Sequence, residues 1–321
     1  MKFSVIIPAY NASKTIDATI DSVLGQTRPA EEILVMDDGS TDDTFARLQA
    51  YGSKIKLFRH PNQGAAVSRN CLCRKAMGDV AAFLDADDVW HEDYLKAQHD
   101  ALSKHSNSIA SFTGFVDSNQ FSQNSWNSLR PDSSVTIEPM DSIQFFNRYN
   151  YLPLQFPPSA CCIVRDVLDQ MGPTPFPLNF DSVEDYGFMN TLPLFSKPII
   201  RNPLPLVMYR LGPASLSSNR VKVMDLTIRL AELLLRRYEE EAAPGLLQSF
   251  REMFPAKRRN YSKYLMGAGR VSDARHQIWI SIRENRNLKS MLKSAGLLAC
   301  SYFPSALQPK WPRQFRHENY Q

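Results

Sequence analysis

No uncharged apolar run in this 321-residue chain reaches the length a helix needs to cross a bilayer. The opening Met1-Lys-Phe-Ser-Val-Ile-Ile-Pro8 is too short an apolar stretch for a signal peptide, and Pro8 stops it. Cysteine is scarce: there are five, an odd number, with Cys71/Cys73 and Cys161/Cys162 nearly adjacent. Paired Cys-x-x-Cys spacing is missing, which argues against a structural zinc site. The pattern also does not fit a secreted disulfide framework, so the sequence predicts a reducing cytosol. Also missing is a Gly-x-Gly-x-x-Gly turn after the first apolar segment, where Pro8-Ala9-Tyr10-Asn11 stands. That absence excludes the dinucleotide-binding turn of a dehydrogenase. The paired aspartates follow the fourth predicted strand, whereas an aspartyl-nucleophile phosphatase wants them after the first. The aromatics form no recognised nucleic-acid motif, so no nucleic-acid partner is expected.

What is present is an ordinary globular composition, with enough chain for one large core or two smaller ones. The net charge of +4 hides an asymmetry. Residues 1–219 carry 18 Lys/Arg against 24 Asp/Glu, and residues 220–321 carry 19 against 9. A basic end beside an acidic body suggests an anionic partner.

The segment around which the chain is organised is Val80-Ala-Ala-Phe-Leu-Asp85-Ala86-Asp87-Asp88. Five uncharged residues read as a strand buried on both faces, and three carboxylates follow within four positions. An unpaired buried carboxylate is costly, so the cluster should face water or a cation. Oxygen-only ligation suits Mg²⁺ or Mn²⁺, which normally arrive with phosphates. The alternative is an acidic helix entry, with Asp88 capping a helix over Trp90–Lys104.

Upstream, Phe3–Pro8 reads as a strand, followed by a helix to about Gln26 capped by Ser13 or Asn11. Glu32–Met36 is a second strand ending in Asp37-Asp38-Gly39-Ser40, with Asp42 and Asp43 opening a helix. Ile55–Phe58 is a third strand, and Gln63-Gly64 leads into a helix through Arg69 and Met77. Short connections and strand–helix alternation predict a parallel, doubly wound sheet. From about Ile109 the rhythm changes. Asp117–Ser134 reads as a long polar loop, Asp141–Tyr149 as a helix, Ala160–Val164 as a strand and Arg165–Gln170 as a helix. Asp181–Tyr186 reads as a helix start. Pro203 and Pro205 allow Ile199–Tyr209 only as an irregular or edge strand. After Val221 the apolar spacing is helical, with helices expected over Val223–Tyr238, Gly245–Phe254, Lys257–Met266, Val271–Arg283 and Leu288–Cys300.

Taken in order, the signatures resemble the GT-A family of inverting, nucleotide-sugar-dependent glycosyltransferases of the family 2 type, whose soluble bacterial members build surface glycans. The matching pieces are Val5-Ile-Ile-Pro8-Ala9-Tyr10-Asn11, Asp37-Asp38-Gly39-Ser40-Thr41-Asp42, and Asn62-Gln63-Gly64 with Arg69-Asn70. Gly78-Asp79 with Leu84–Asp88, Glu184-Asp185-Tyr186, and Tyr209-Arg210 with Ser215 complete the series. The match runs from residue 3 to about 217. It implies an α/β GT-A fold: a Rossmann-like mixed sheet flanked by helices, with a C-terminal helical extension. The implied domains are a catalytic domain over 1–220, with a nucleotide-sugar half at 1–108 and an acceptor half at 109–220, and a basic extension at 221–321.

The resemblance also implies roles. Pro8, Ala9 and Tyr10 wall the base, Asn11 belongs to the same nucleotide-sugar-binding stretch, and Asp38 accepts the base's imide N–H, an arrangement that favours UDP. Read from the residues alone, Asp37 and Asp38 could instead cap the turn before Gly39, a reading we adopt for Asp37 but not for Asp38. Gly64 lets the backbone approach the ligand, while Arg69 reaches the nucleotide or pairs with a site carboxylate, its alternative being a solvated helix arginine. Asp85 and Ala86 hold the ribose end and Asp87 the Mn²⁺ or Mg²⁺, with Asp88 supporting its neighbours. Asp185 is the base that deprotonates the acceptor, and Glu184, Tyr209 and Arg210 shape the acceptor side. The expected partners are a nucleotide-sugar donor and a glycan or lipid-linked glycan acceptor. The alternatives are a nucleotide-sugar-binding protein without turnover and a nucleotidyltransferase. Two departures from the family pattern are Gly212-Pro213, where many relatives carry a histidine, and Gly187-Phe-Met-Asn190, which makes an atypical acceptor pocket. In the basic end, Lys257-Arg-Arg259 and Arg283–Lys293 alternate with apolar residues including Trp279. Lys289–Ala299 reads as a cationic amphipathic helix, with Tyr302, Phe303 and Trp311 as interface-seeking rings. The expectation is a cytoplasmic protein held peripherally on the inner membrane face. The alternative is a helical subdomain with a solvated basic face.

Overall fold

The computed structural model describes residues 1–118, 126, 136–151, 156–210, 219–285 and 287–303. Among them, nine strands form one mixed sheet. They are β1 (Phe3–Ala9), β2 (Glu32–Asp37), β3 (Lys56–Arg59), β4 (Val80–Phe83), β5 (Val89–Trp90), β6 (Ala110–Asp117), β7 (Glu138–Met140), β8 (Cys161–Val164) and β9 (Ile199–Tyr209). Their order is β3-β2-β1-β4-β8-β6-β9-β5, with β7 also paired to β9. The helices are α1 (Ile16–Leu24), α2 (Thr44–Ala50), α3 (Ala65–Lys75), α4 (Tyr94–Lys104), α5 (Ser142–Tyr151), α6 (Arg165–Gln170) and α7 (Glu184–Thr191). Toward the C-terminus come α8 (Arg220–Glu241), α9 (Pro244–Gly267), α10 (Val271–Glu284) and α11 (Leu288–Cys300). The chain divides into two compact units. One holds the sheet and the helices around it. The other holds α8–α11 with the C-terminal ends of α5 and α7.

The first four strands are parallel, as the alternation predicts, with Val5 opposite Ile33 on β2 and Ala82 on β4. Every residue of β1, β2 and β4 is buried. Such strands are mostly apolar because helices cover both faces, with Ser4, Glu32 and Asp37 the buried polar exceptions. Val5, Ile7, Val35, Ala82 and Leu84 share one cluster with Ile16, Ile20, Leu95 and Leu102 of the helices. Parallel winding puts the carboxyl ends of β1, β2 and β4 on one edge of the sheet, the edge where open α/β sheets bind ligands. Beyond β4, where the alternation ends, the sheet becomes mixed, as the family resemblance implies. β8 runs antiparallel to both β4 and β6, and β9 returns parallel to β6.

β9 is not an edge strand. It pairs with β6 along one side, and with β7 and β5 along the other. Pro203 and Pro205 sit between the β7 partners at Ile199–Arg201 and the β5 partners at Val207–Met208, so their missing N–H groups cost no bond on that side. The strand is irregular as expected, with register shifts on either side of Gly114 of β6. A Cβ at Gly114 would lie 2.6 Å from the Pro203 carbonyl oxygen, so the bulge requires glycine. The strand β6 itself went unpredicted. Most of the Asp117–Ser134 loop lies outside the described residues. Trp126 is described and is buried, its indole N–H donating to the Pro205 carbonyl at 2.8 Å.

Three local expectations are corrected. Neither Ser13 nor Asn11 caps α1, which starts after Thr15 without a side-chain cap. Asn11 instead takes φ 48° and accepts the Thr41 N–H at 2.9 Å. Asp88 caps no helix: 89–90 is a strand, and α4 starts behind Asp93. Gly245–Phe254 and Lys257–Met266 are one helix that continues through Pro255. An interior proline costs about 3 kcal/mol. Burial of Phe250, Met253, Phe254, Tyr261 and Leu265 along the same helix offsets that cost.

In the helical unit, Tyr238 packs at 4.0 Å from Phe250 and donates its hydroxyl to the Asn190 carbonyl at 2.6 Å. The basic trio 257–259 faces inward rather than lying on a solvated face. Arg258 is buried and pairs with Glu232 at 2.6 Å and Glu284 at 2.8 Å. Burial lowers the Lys257 ammonium to about 8. Arg259 donates to Ser290 and Ser294 of α11. Trp311 lies outside the described residues.

Candidate active site

Past Phe83 the chain keeps one further ladder bond, Leu84 N–H to the Ile6 carbonyl at 3.0 Å, and then turns. The turn is fixed by Asp88, which is fully buried. One of its carboxylate oxygens accepts the Ser159 hydroxyl at 2.5 Å and the other the Arg210 backbone N–H at 3.0 Å. Ser159 in turn accepts the Asp85 N–H at 3.1 Å. Asp88 therefore joins the tip of β4, the approach to β8 and the end of β9. Burial, then the charges of Asp85 and Asp87, push its carboxyl well above the usual range. The Ala86 carbonyl accepts the hydroxyls of Thr15 and Thr19 at 2.9 and 3.0 Å, which locks the turn to α1.

That bracing leaves Asp87 exposed to solvent, with Asp85 half-buried beside it. The Asp87 carboxyl is pushed up to about 6 by desolvation and by Asp85, against the pull of Arg210 and Arg69. Among the described residues no group of three or more His, Cys, Asp or Glu could hold a metal ion. The oxygen donors at this tip are the two carboxylates of Asp85 and Asp87, a set that fits a hard cation only if other ligands complete its shell.

Arg69 reaches the same place from α3. It is buried, unlike the solvated helix arginine of the alternative reading, and bridges Asp85 at 2.6 Å and Glu184 at 2.8 Å. Its Nε and the second Glu184 oxygen, Oε2, are buried without a hydrogen-bond partner. The pairing is thus geometrically good but incomplete, and orphaned polar atoms of this kind carry a desolvation cost. Phe176 packs under the guanidinium at 5.4 Å and stacks on Phe188 at 4.2 Å. Phe188 belongs to the atypical Gly187–Asn190 segment, which therefore backs the Phe176 ring against Arg69.

Asp185 stands on that turn next to Glu184, one oxygen accepting the Tyr186 N–H at 2.7 Å. Its carboxyl is raised to about 7, by desolvation first and Glu184 second, with Arg69 pulling it down and Asp85 pushing it up. Tyr209 feels the charge of both acidic groups. Burial and the charges of Asp88, Asp85, Asp87 and Asp185 all raise its phenol. The structure thus brings Arg69, Asp85, Asp87, Glu184, Asp185, Tyr209 and the Arg210 backbone into one electrostatic neighbourhood.

The remaining predicted residues line the neighbouring strand ends. Pro8 and Ala9 are buried at the end of β1, while Tyr10 and Asn11 are exposed beyond it. Asp38 is buried, and its two oxygens accept the Gln63 and Gly64 N–H groups at 2.8 and 2.9 Å, with His60 Nδ1 at 3.1 Å. It braces the 60–64 loop. Asp37 accepts the Ser40 N–H at 3.3 Å, as expected of a turn cap, and pairs with Arg59 at 3.0 Å. Gly64 has φ 90°, and a Cβ there would meet Asp181 Oδ1 at 2.9 Å. Gly212-Pro213 and Ser215 lie outside the described residues. Sequence reasoning missed Ser159, His60, Phe176 and Asp181. Each acts through a contact distant in sequence and carries no local signal.

With this geometry in view, the chain can be set beside known proteins. The model of a family described as glycosyl transferase family 2 matches residues 4–171. WfgD of Escherichia coli, a UDP-Glc:alpha-D-GlcNAc-diphosphoundecaprenol beta-1,3-glucosyltransferase, is 34% identical over 224 residues, 68% of this chain and 81% of WfgD. TuaG of Bacillus subtilis, named for teichuronic acid biosynthesis, is 43% identical over 117 residues, and the match spans 46% of its length. Among solved structures, TarS of S. aureus is similar with a TM-score of 0.68 and 19% identity, over 94% of this chain and 89% of that one. A Pyrobaculum calidifontis mannosyltransferase solved with GDP-Man and Mn²⁺ is similar with a TM-score of 0.58 and 18% identity, over 94% of this chain and 81% of that one. These likenesses show a GT-A type fold, a mixed sheet flanked by helices with a helical C-terminal part.

Proposed function

The chain belongs to glycosyl transferase family 2, and from that premise we propose that it transfers a sugar from a UDP-sugar to a glycan or lipid-linked glycan acceptor in surface polysaccharide synthesis. The reaction is a single displacement with inversion. One observation carries this reading: Asp185, partly open to solvent and with its carboxyl near 7, shares a charge cluster with the Asp85–Asp87 tip. A general base works best when its pKa lies near the operating pH. Across the same site, a sugar nucleotide brings a diphosphate that needs a cationic counterpart.

We assign the roles with the geometry as support. Asp185 takes the proton from the acceptor hydroxyl as that oxygen attacks the anomeric carbon, and the nucleoside diphosphate leaves from the opposite face. Burial raises the Asp185 carboxyl first, Glu184 adds to that, and Arg69 opposes it. Arg69 positions Asp85 toward the ribose end of the donor. Tyr10 offers an exposed ring to the base, and Asp38 keeps the 60–64 loop shaped around it. Asp87, exposed and repelled by Asp85, would hold Mn²⁺ or Mg²⁺ together with the diphosphate and water. When bound, that ion offsets the charge developing on the leaving diphosphate. Tyr209 and Arg210 border the acceptor side. By this reading the domains are 1–220 for catalysis and 221–321 for a basic extension, in a cytoplasmic protein peripheral to the inner membrane face. Among the described residues no helix is long and apolar enough to cross a membrane.

The test is transfer from UDP-glucose, with Mn²⁺, to a lipid analogue bearing GlcNAc α-linked through diphosphate, the acceptor named for WfgD. The expected product carries a β-linkage, and UDP raises the melting temperature more with Mn²⁺ than without. A panel of UDP- and GDP-sugars that gives neither transfer nor a thermal shift contradicts the reading.

A further inference from the structure

Helix α11 is turned the wrong way for a helix that only packs. Ser290 and Ser294 face inward, where Ser294 accepts from Arg259 at 3.1 Å and bonds to Ser281 at 2.8 Å. Leu297 and Leu298 are partly buried against the Ile228–Tyr261 cluster. Leu288 and Leu292, however, are 67% and 60% exposed. Ala295 and Ala299 are exposed with them, and the i, i+4, i+7, i+11 spacing places all four on one outer stripe. The stripe ends at Tyr302 and Phe303, 63% and 54% exposed. Tyr302 is held in place, because Arg275 lies 3.7 Å over its ring and donates to the Ser301 carbonyl at 2.8 Å. One turn along α10 from Arg275, Trp279 is 51% exposed. Lys289 and Lys293 flank the stripe, both exposed, and α11 carries no acidic residue.

We propose that this stripe, with Tyr302 and Phe303 at its end, is a docking surface for an anionic lipid bilayer. Scattered exposed leucines need no explanation, but an ordered apolar stripe bordered by lysines and aromatic rings is the pattern of a helix lying in the headgroup region. Charge complementarity selects the occupant: α11 is purely cationic, and anionic lipid attracts such segments within a Debye length. Leucines and rings enter the acyl boundary while the lysines stay at headgroup level. The surface deepens the peripheral-membrane part of the proposed function and gives that part a structural element. Its physics requires neither donor nor acceptor.

Flotation of the full-length protein with phosphatidylglycerol-containing vesicles, against pure phosphatidylcholine vesicles, is the test. Wild type should float with the anionic vesicles, and less so at high salt. Leu288→Ser/Leu292→Ser should cut the bound fraction about tenfold or more, with an unchanged melting temperature because both side chains already face water. Lys289→Glu/Lys293→Glu should abolish the preference for anionic vesicles. Equal binding by wild type and the serine variant, or no binding by wild type, overturns the proposal. So does wild-type self-association without vesicle binding that the serine variant abolishes, which would assign the stripe to a second copy. Vesicle binding without sugar transfer would instead defeat the functional reading alone.

Discussion

Two buried arginines, one in each compact unit, are each flanked by two carboxylates, and the difference between them separates a site from a staple. In the helical unit, Arg258 donates to Glu284, Gln277 and Glu232, so that each of its three nitrogens has a partner. In the sheet unit, Arg69 donates to Asp85 and Glu184 but leaves Nε and Glu184 Oε2 without partners. The carboxylates of the staple are 50% and 31% exposed, whereas those on Arg69 are 25% and 9% exposed. One cluster is complete and half in water. The other is incomplete, drier, and adjacent to Asp87 and Asp185, whose carboxyls are both raised. A network left short of donors and acceptors in the free protein has capacity for a ligand.

The sharpest way to break the contrast is at its catalytic end. Asp185→Asn should lower the transfer rate by about 10²–10⁴ while the UDP-induced thermal shift is retained, since the base acts on the acceptor and not on the donor. The same substitution should also stabilise the fold at pH 8. A carboxyl whose folded pKa is raised contributes stability that is present below its unfolded value near 4 and is lost as pH rises through about 7. Thermal melts at pH 5 and pH 8 check this: the gain over wild type should be largest at pH 8 and shrink toward pH 5.

Next in size, Arg69→Ala strands two carboxylates, Asp85 and Glu184, together. Breaking a buried pair costs about 3–5 kcal/mol, measurable by urea unfolding, and activity should fall with it. Arg258→Ala should cost less, about 1–2 kcal/mol, because Glu232 and Glu284 can rehydrate, and should leave kcat and KM unchanged at temperatures where the protein is folded. Equal destabilisation by the two substitutions would remove the distinction between site and staple. Smallest on stability is Asp87→Ala. Removing an exposed carboxylate should leave the melting temperature nearly constant yet abolish the Mn²⁺-dependent part of the UDP shift.

The parallel half of this fold was legible because its strands are continuous apolar runs and its turns end in Asp, Gly and Pro, so residue type and structure agree locally. Leu84–Asp88 shows the boundary of that legibility. The cluster and its exposure at Asp87 were readable, but Asp88 looks like its neighbour in sequence and has the opposite environment. Only Ser159 and the Arg210 N–H, 71 and 122 residues away, explain its burial. In the second half, β6 and β9 pair through a bulge at Gly114, opposite the Pro203–Pro205 stretch of β9, and propensity opposes the strand that packing imposes. Arg69 falls between these cases: its pairing with a site carboxylate was among the expectations, whereas its second partner, Glu184, lies 115 residues further along.

The central claim is that Asp185 acts as a base raised toward neutrality by burial first and by Glu184 second, against the pull of Arg69. The pH dependence of kcat/KM for transfer from UDP-glucose to the GlcNAc-diphosphate lipid analogue tests it most directly. The prediction is a limb with its midpoint near 7, below which the rate falls tenfold per pH unit and which is missing from the residual activity of Asp185→Asn. A wild-type profile flat through that region, or one that Asp185→Asn reproduces unchanged, would contradict it.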